Sequence, residues 1–215
     1  MIKHYIKTQR TARYFLSQEI HSGIKHVLFV LHGYAQNADD FLQSFAPLFK
    51  DNTLIVAPEG LSKLYFKDFS NNPASSWMTR LERENELADF YTYMKKVEQE
   101  IVNKINGKVD FHVLGFSQGG AMVSRYVADS QLFFKNIFIY ASSPAHDLDW
   151  HKIPKESQWH LIYGDKDWVV TPERFNEVQQ LFKQQNIAIS TIKFEGKHEI
   201  DKKALEYIMP MVDSK

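Results

Sequence analysis

The chain has 215 residues, 26 basic and 26 acidic side chains, and no cysteine. Zero net charge argues against a nucleic-acid binder. The missing cysteine excludes a disulfide scaffold, a thiolate nucleophile and any Cys-ligated zinc or iron–sulfur centre. The first ten residues carry charges where a signal peptide would be apolar, and no later run approaches the roughly 18 apolar residues of a membrane span. A soluble, cytoplasmic protein without stable membrane insertion is expected, folded as a single domain over 1–215.

In chain order, short β-rich runs fall at Tyr14–Leu16, His26–Leu31, Thr53–Ala57, Phe111–Leu114, Asn136–Tyr140, Trp159–Tyr163 and Ala188–Phe194. Several are apolar nearly throughout, as strands covered on both faces must be. Between them lie helical patterns at Asp39–Phe49, Asn85–Asn106, Gln118–Ala128, Pro172–Gln185 and Asp201–Val212. The second carries apolar residues at three-to-four spacing and stops at Gly107; the fourth starts with Thr171 as cap and Pro172 as first helical residue. Such alternation predicts a mostly parallel central sheet with helices on both faces, with the first strands free to pair antiparallel at an edge. In sheets of this kind ligands bind beyond the carboxyl ends of the strands.

The residues at those ends carry chemistry. Gly115-Phe116-Ser117-Gln118-Gly119 follows one strand and opens a helix. A sharp strand-to-helix turn of this type holds its central residue in a strained conformation and needs glycine two before and two after it. It would expose the Ser117 hydroxyl at a helix N-terminus, where developing negative charge is favoured. Asp165 and Asp167 follow a later strand, and His198 follows the last one. The order Ser, Asp, His is that of a serine triad on an open α/β sheet. Of nine histidines only His198 lies beyond the candidate acids, and a neutral imidazole can take the serine proton and return it to a leaving group. Asp167 is favoured as the acid because the apolar Trp168-Val169-Val170 can bury it; Asp165 is the alternative, with Asp147 and Asp149 after the preceding strand. An oxyanion hole needs two backbone N–H donors. Gln118 supplies one, and the loop after His32-Gly33 the other, with Tyr34 first and Ala35 next.

With these blocks in place the chain resembles the phospholipase/carboxylesterase family of α/β hydrolases, the group that includes acyl-protein thioesterases. Leu31-His32-Gly33, Ala57-Pro58-Glu59-Gly60, Leu114 to Gly120, Gly164-Asp165-Lys166-Asp167 and His198-Glu199-Ile200 match its signature blocks in order, across roughly Val27 to Met209. The resemblance implies an α/β-hydrolase fold without a large cap domain. It also implies Ser117 as nucleophile, His198 as base, Asp167 as acid, and Tyr34 and Gln118 as oxyanion donors. The chain departs from the family pattern at Lys197, Thr171 and Met78-Thr79.

The expected activity is a serine carboxylesterase acting on small to medium acyl esters, with a small-molecule ester as its partner. An acyl-thioesterase or lysophospholipase with the same triad is the alternative, and an inactive binding protein on this scaffold a further one. Gly60–Met78 reads as a flap or pocket wall in which Phe69, Trp77 and Met78 would meet substrate, joined by Trp168 beside the acid. The same hydrophobics could instead anchor loops. Lys63, Lys67, Arg80 and Arg83 read as solvated charges. No metal-ligand spacing, Walker loop or dinucleotide-binding glycine pattern occurs, so a cofactor-free, metal-free enzyme is expected. The aromatic content would permit a homodimer patch.

Overall fold

The computed structural model describes residues 1–65 and 73–213, and among these the central sheet has seven strands. They are β1 (Tyr14–Leu16), β2 (His26–Leu31), β3 (Thr53–Pro58), β6 (Asp110–Phe116), β7 (Phe134–Tyr140), β8 (Gln158–Gly164) and β9 (Ile189–Phe194), in spatial order β1-β3-β2-β6-β7-β8-β9. Every pairing is parallel except β1 with β3, where Phe15 lies opposite Ala57. This is the mostly parallel sheet with an antiparallel N-terminal edge that the alternating pattern predicts. The two remaining described strands, β4 (Ser62–Leu64) and β5 (Ala74–Ser76), pair antiparallel as a separate sheet within the segment read as a flap or pocket wall.

Successive side chains of a strand point to opposite faces, so the apolar runs split into two cores. Phe29, Val113, Ile137 and Leu161 pack against α2 (Arg83–Lys104), α3 (Gln118–Asp129) and α4 (Pro172–Gln184). Leu28, Leu114, Phe138 and Ile162 pack against α1 (Ala38–Gln43) and α5 (Lys202–Asp213). β2 and β3 are buried along their whole length, which explains why they show no polar alternation.

α1 is shorter than the Asp39–Phe49 pattern suggests. It ends at Gln43, and a 3-10 turn at Ala46–Leu48 completes the segment. Pro47 lacks the N–H that a continuing helix would need, while Phe41, Leu42, Phe45 and Leu48 are all buried. α4 starts as expected: Thr171 Oγ1 accepts the Arg174 N–H at 3.3 Å, with Pro172 in the first turn. No described helix is long and apolar enough to cross a membrane.

Candidate active site

Ser117 sits between the end of β6 and the start of α3 with φ 53° and ψ −120°, a backbone geometry that side chains other than glycine's adopt only under strain. The turn is tight enough that a Cβ on Gly115 would press into the Gly119 carbonyl, and one on Gly119 into the Leu31 carbonyl. Three hydrogen bonds hold it. The Ser117 N–H donates to Tyr140 O (2.9 Å), while Ser117 O accepts from the Gly120 N–H (3.0 Å) and from Ser142 Oγ (2.5 Å). No sequence pattern marks Ser142, since it follows β7 and meets the elbow only in the fold.

The structure brings Ser117, His198 and Asp167 into one hydrogen-bonded line. His198 Nε2 lies 2.9 Å from Ser117 Oγ, and its Nδ1 lies 2.9 and 3.1 Å from the two Asp167 oxygens. The Asp167 side chain is fully buried and that of His198 is 14% exposed. Asp167 Oδ1 also accepts the N–H groups of Val169 (2.7 Å) and Val170 (3.0 Å), so the carboxylate is oriented by its own loop. Asp165 faces elsewhere: it accepts the Gly196 N–H at 3.1 Å and ties the acid loop to the loop preceding His198. Asp147 pairs with Arg83 and, at 2.6 Å, with Arg125, while Asp149 caps a turn through the His151 N–H.

The loop after β2 runs beside the serine. A Cβ on Gly33 would come within 3.2 Å of Ser117 Cβ, so the backbone there passes close against the serine. The Ala35 N–H donates to Ser75 O at 2.9 Å, which commits that candidate oxyanion donor to the β5 strand. His32 is buried, and both of its ring nitrogens are used. Nδ1 lies 2.7 Å from Gly33 O, and Nε2 accepts the Gly60 N–H at 2.9 Å. Only a neutral ring protonated at Nδ1 satisfies both. Burial, the largest influence, pushes its pKa down to about 4, although the Gly33 carbonyl opposes it.

Among the residues expected to touch substrate, Trp77 is not brought to the serine. It is 2% exposed, stacks on His32 with centroids 4.7 Å apart, and donates its indole N–H to His32 O at 2.7 Å. Its indole N–H has a backbone partner 45 residues away, which no local pattern discloses. Met78 contributes its carbonyl, which accepts from Gln118 Nε2 at 2.8 Å. Gln118 Oε1 in turn accepts the Trp77 N–H at 3.1 Å and Ser76 Oγ at 3.2 Å, so this side chain staples the start of α3 to the 76–78 segment. Trp168 stands on the rim, 77% exposed, its ring 5.9 Å from that of His198. Phe69 lies outside the described residues.

Behind the loop, Glu59 is a buried carboxylate. Burial works to raise its pKa, but Arg13 (2.6 and 3.1 Å) and Lys63 outweigh that and hold it at about 2. Lys63 thus pairs with a buried charge, which its reading as a solvated cation missed. Beside Ser117 opens a cavity of about 380 Å³ whose wall includes Ala141, Ser143, Pro144, Val169 and Arg174.

A model of the serine hydrolase family FSH1 matches residues 22–207. Crystal structures of similar fold include esterase PE8 (18% identity, TM-score 0.72, covering 94% of this chain and 98% of that one). Two others are Zea mays acyl-protein thioesterase 2 (12%, 0.70, 94% and 97%) and the Bacillus cereus carboxylesterase (14%, 0.70, 94% and 93%). At such identities the likeness is one of fold, here the α/β-hydrolase fold. No curated protein matches the sequence.

Proposed function

Because the chain belongs to the FSH1 serine hydrolase family, we propose that it is a carboxylesterase that cleaves small to medium acyl esters through an acyl-enzyme. Ser117 Oγ attacks the ester carbonyl as His198 Nε2 takes its proton, and Asp167 holds the imidazole in the required tautomer and stabilises the imidazolium. The oxyanion is received by the N–H groups of Tyr34 and Gln118, aided by the N-terminus of α3. Collapse expels the alcohol, which leaves with the proton from His198. Water then repeats the sequence, giving the carboxylic acid and restoring the serine hydroxyl.

The observation that carries this reading is the 2.9 Å separation of His198 Nε2 from Ser117 Oγ, with Asp167 equally close on the far side of the ring. A fluorophosphonate should label the protein once per chain, and Ser117→Ala should abolish both labelling and ester turnover with an unchanged circular dichroism spectrum. Labelling that survives the substitution would overturn the assignment. The same acyl-enzyme chemistry serves thioesters, so a chain-length series of matched oxygen esters and thioesters tests the ester preference.

A further inference from the structure

Among the described residues no Phe, Tyr or Trp lines the cavity beside Ser117, unlike the aromatic lining of a long-chain acyl groove. Its carbon surface comes from small side chains such as Ala141, Pro144 and Val169. Its charged members are Arg125 and Arg174, and no Asp or Glu lines it among the described residues. A concave surface whose charged side chains are cationic attracts anions.

The two guanidiniums are placed differently. Arg125 is 6% exposed; one terminal nitrogen donates to Asp147 at 2.6 Å, and its buried Nε has no hydrogen-bond partner. Arg174 is half exposed at the mouth. Its Nε donates to Ser143 Oγ (3.1 Å) and Nη1 to Glu177 (2.9 Å), while Nη2 makes no hydrogen bond among the described residues. The Ser143 contact holds the fork over the cavity, one residue from Ser142, which bonds the nucleophile's own carbonyl. An exposed ion pair such as Arg174–Glu177 contributes little, so an incoming carboxylate can share the guanidinium at small cost.

His198 is absent from the cavity wall. The leaving-group oxygen must stand next to His198 to receive its proton, so the leaving group lies outside this cavity and the acyl chain lies inside it. We propose that the acyl group itself ends in a carboxylate, and that Arg174 receives it: the substrate class is a half-ester of a short dicarboxylic acid. This rests on Ser117 acting as the nucleophile.

The test is pH-stat hydrolysis of monomethyl esters of dicarboxylic acids from four to eight carbons, each against the neutral methyl ester of equal acyl length. The best half-ester should exceed its neutral counterpart by about tenfold or more in kcat/KM, the size expected of one charge-assisted contact. In Arg174→Gln that ratio should collapse towards one, and Arg174→Lys, which keeps the charge but loses the fork, should restore it in part. A ratio near one at every length in the wild-type protein, or a ratio that survives Arg174→Gln, overturns the proposal and leaves the esterase reading standing. Hydrolysis of neither ester, with no fluorophosphonate labelling, overturns both.

Discussion

The Nδ1 of His32 is 2.7 Å from the carbonyl oxygen of Gly33, and this contact fixes the plane of the peptide joining Gly33 to Tyr34. In a trans peptide the carbonyl and the following N–H point in opposite directions. Anchoring Gly33 O on the imidazole therefore turns the Tyr34 N–H away from His32, on a loop that Gly33 brings against Ser117. The indole of Trp77 backs this arrangement by stacking on the ring and binding the His32 carbonyl. An aromatic expected to line an acyl site thus packs one layer deeper, against the loop proposed to supply an oxyanion donor.

His32→Gln should accordingly lower kcat by roughly 10- to 100-fold, below the full loss of an oxyanion donor. KM should move by no more than about threefold, because the acyl cavity is untouched. Steady-state kinetics on a neutral ester, with thermal unfolding as the fold control, checks this. A KM effect with kcat intact would place His32 in substrate binding.

The strands and their functional ends are legible in the sequence because each answers a local demand. The flanking glycines are required where the elbow's backbone approaches Leu31 and Gly119, and strands buried on both faces must be apolar throughout. Choosing between Asp165 and Asp167 is different, since both follow β8 two residues apart. The choice depends on the turn in which the Asp167 N–H bonds Gly164 O at 3.2 Å and the Asp165 carboxylate is taken by Gly196, a partner 31 residues away. Arg125 shows the same limit: nothing local in the sequence marks it, yet it is buried against Asp147 from the loop beyond β7. Pairings across strands are set by topology, and only the assembled sheet reveals them.

Acid should destabilise the fold between about pH 6.5 and 4 through its buried histidines. Burial lowers His32, His112 and His160 to about 4 each. The unfolded chain takes up these protons near pH ~6.5, whereas the folded one resists until about 4. As the pH falls through that interval the unfolded state binds more protons, so stability falls by up to about 1.4 kcal/mol per pH unit for each histidine and levels off for these groups below it. Glu59 and Asp147, both held at about 2, extend the loss to lower pH. Urea unfolding between pH 7 and 4 measures the slope, and His160→Gln should reduce it. A flat profile across that window would contradict the neutral, buried state of these rings.

Ser117→Gly separates stability from turnover at a single position. Ser117 holds φ 53° with ψ −120° because two backbone hydrogen bonds and one from the Ser142 hydroxyl over-determine the turn. Strain of this kind costs on the order of 1–3 kcal/mol, and glycine relieves most of it, though glycine also adds freedom to the unfolded chain worth up to about 1 kcal/mol. The balance favours the variant: it should unfold at an equal or higher temperature than Ser117→Ala, which keeps the strain and also lacks the hydroxyl. Both should be inactive, so the difference between them reports backbone strain less the entropy glycine adds to the unfolded chain. A glycine variant less stable than the alanine variant by more than about 1 kcal/mol would mean that the elbow is relaxed, and that the serine is held in place by its contacts without stored strain.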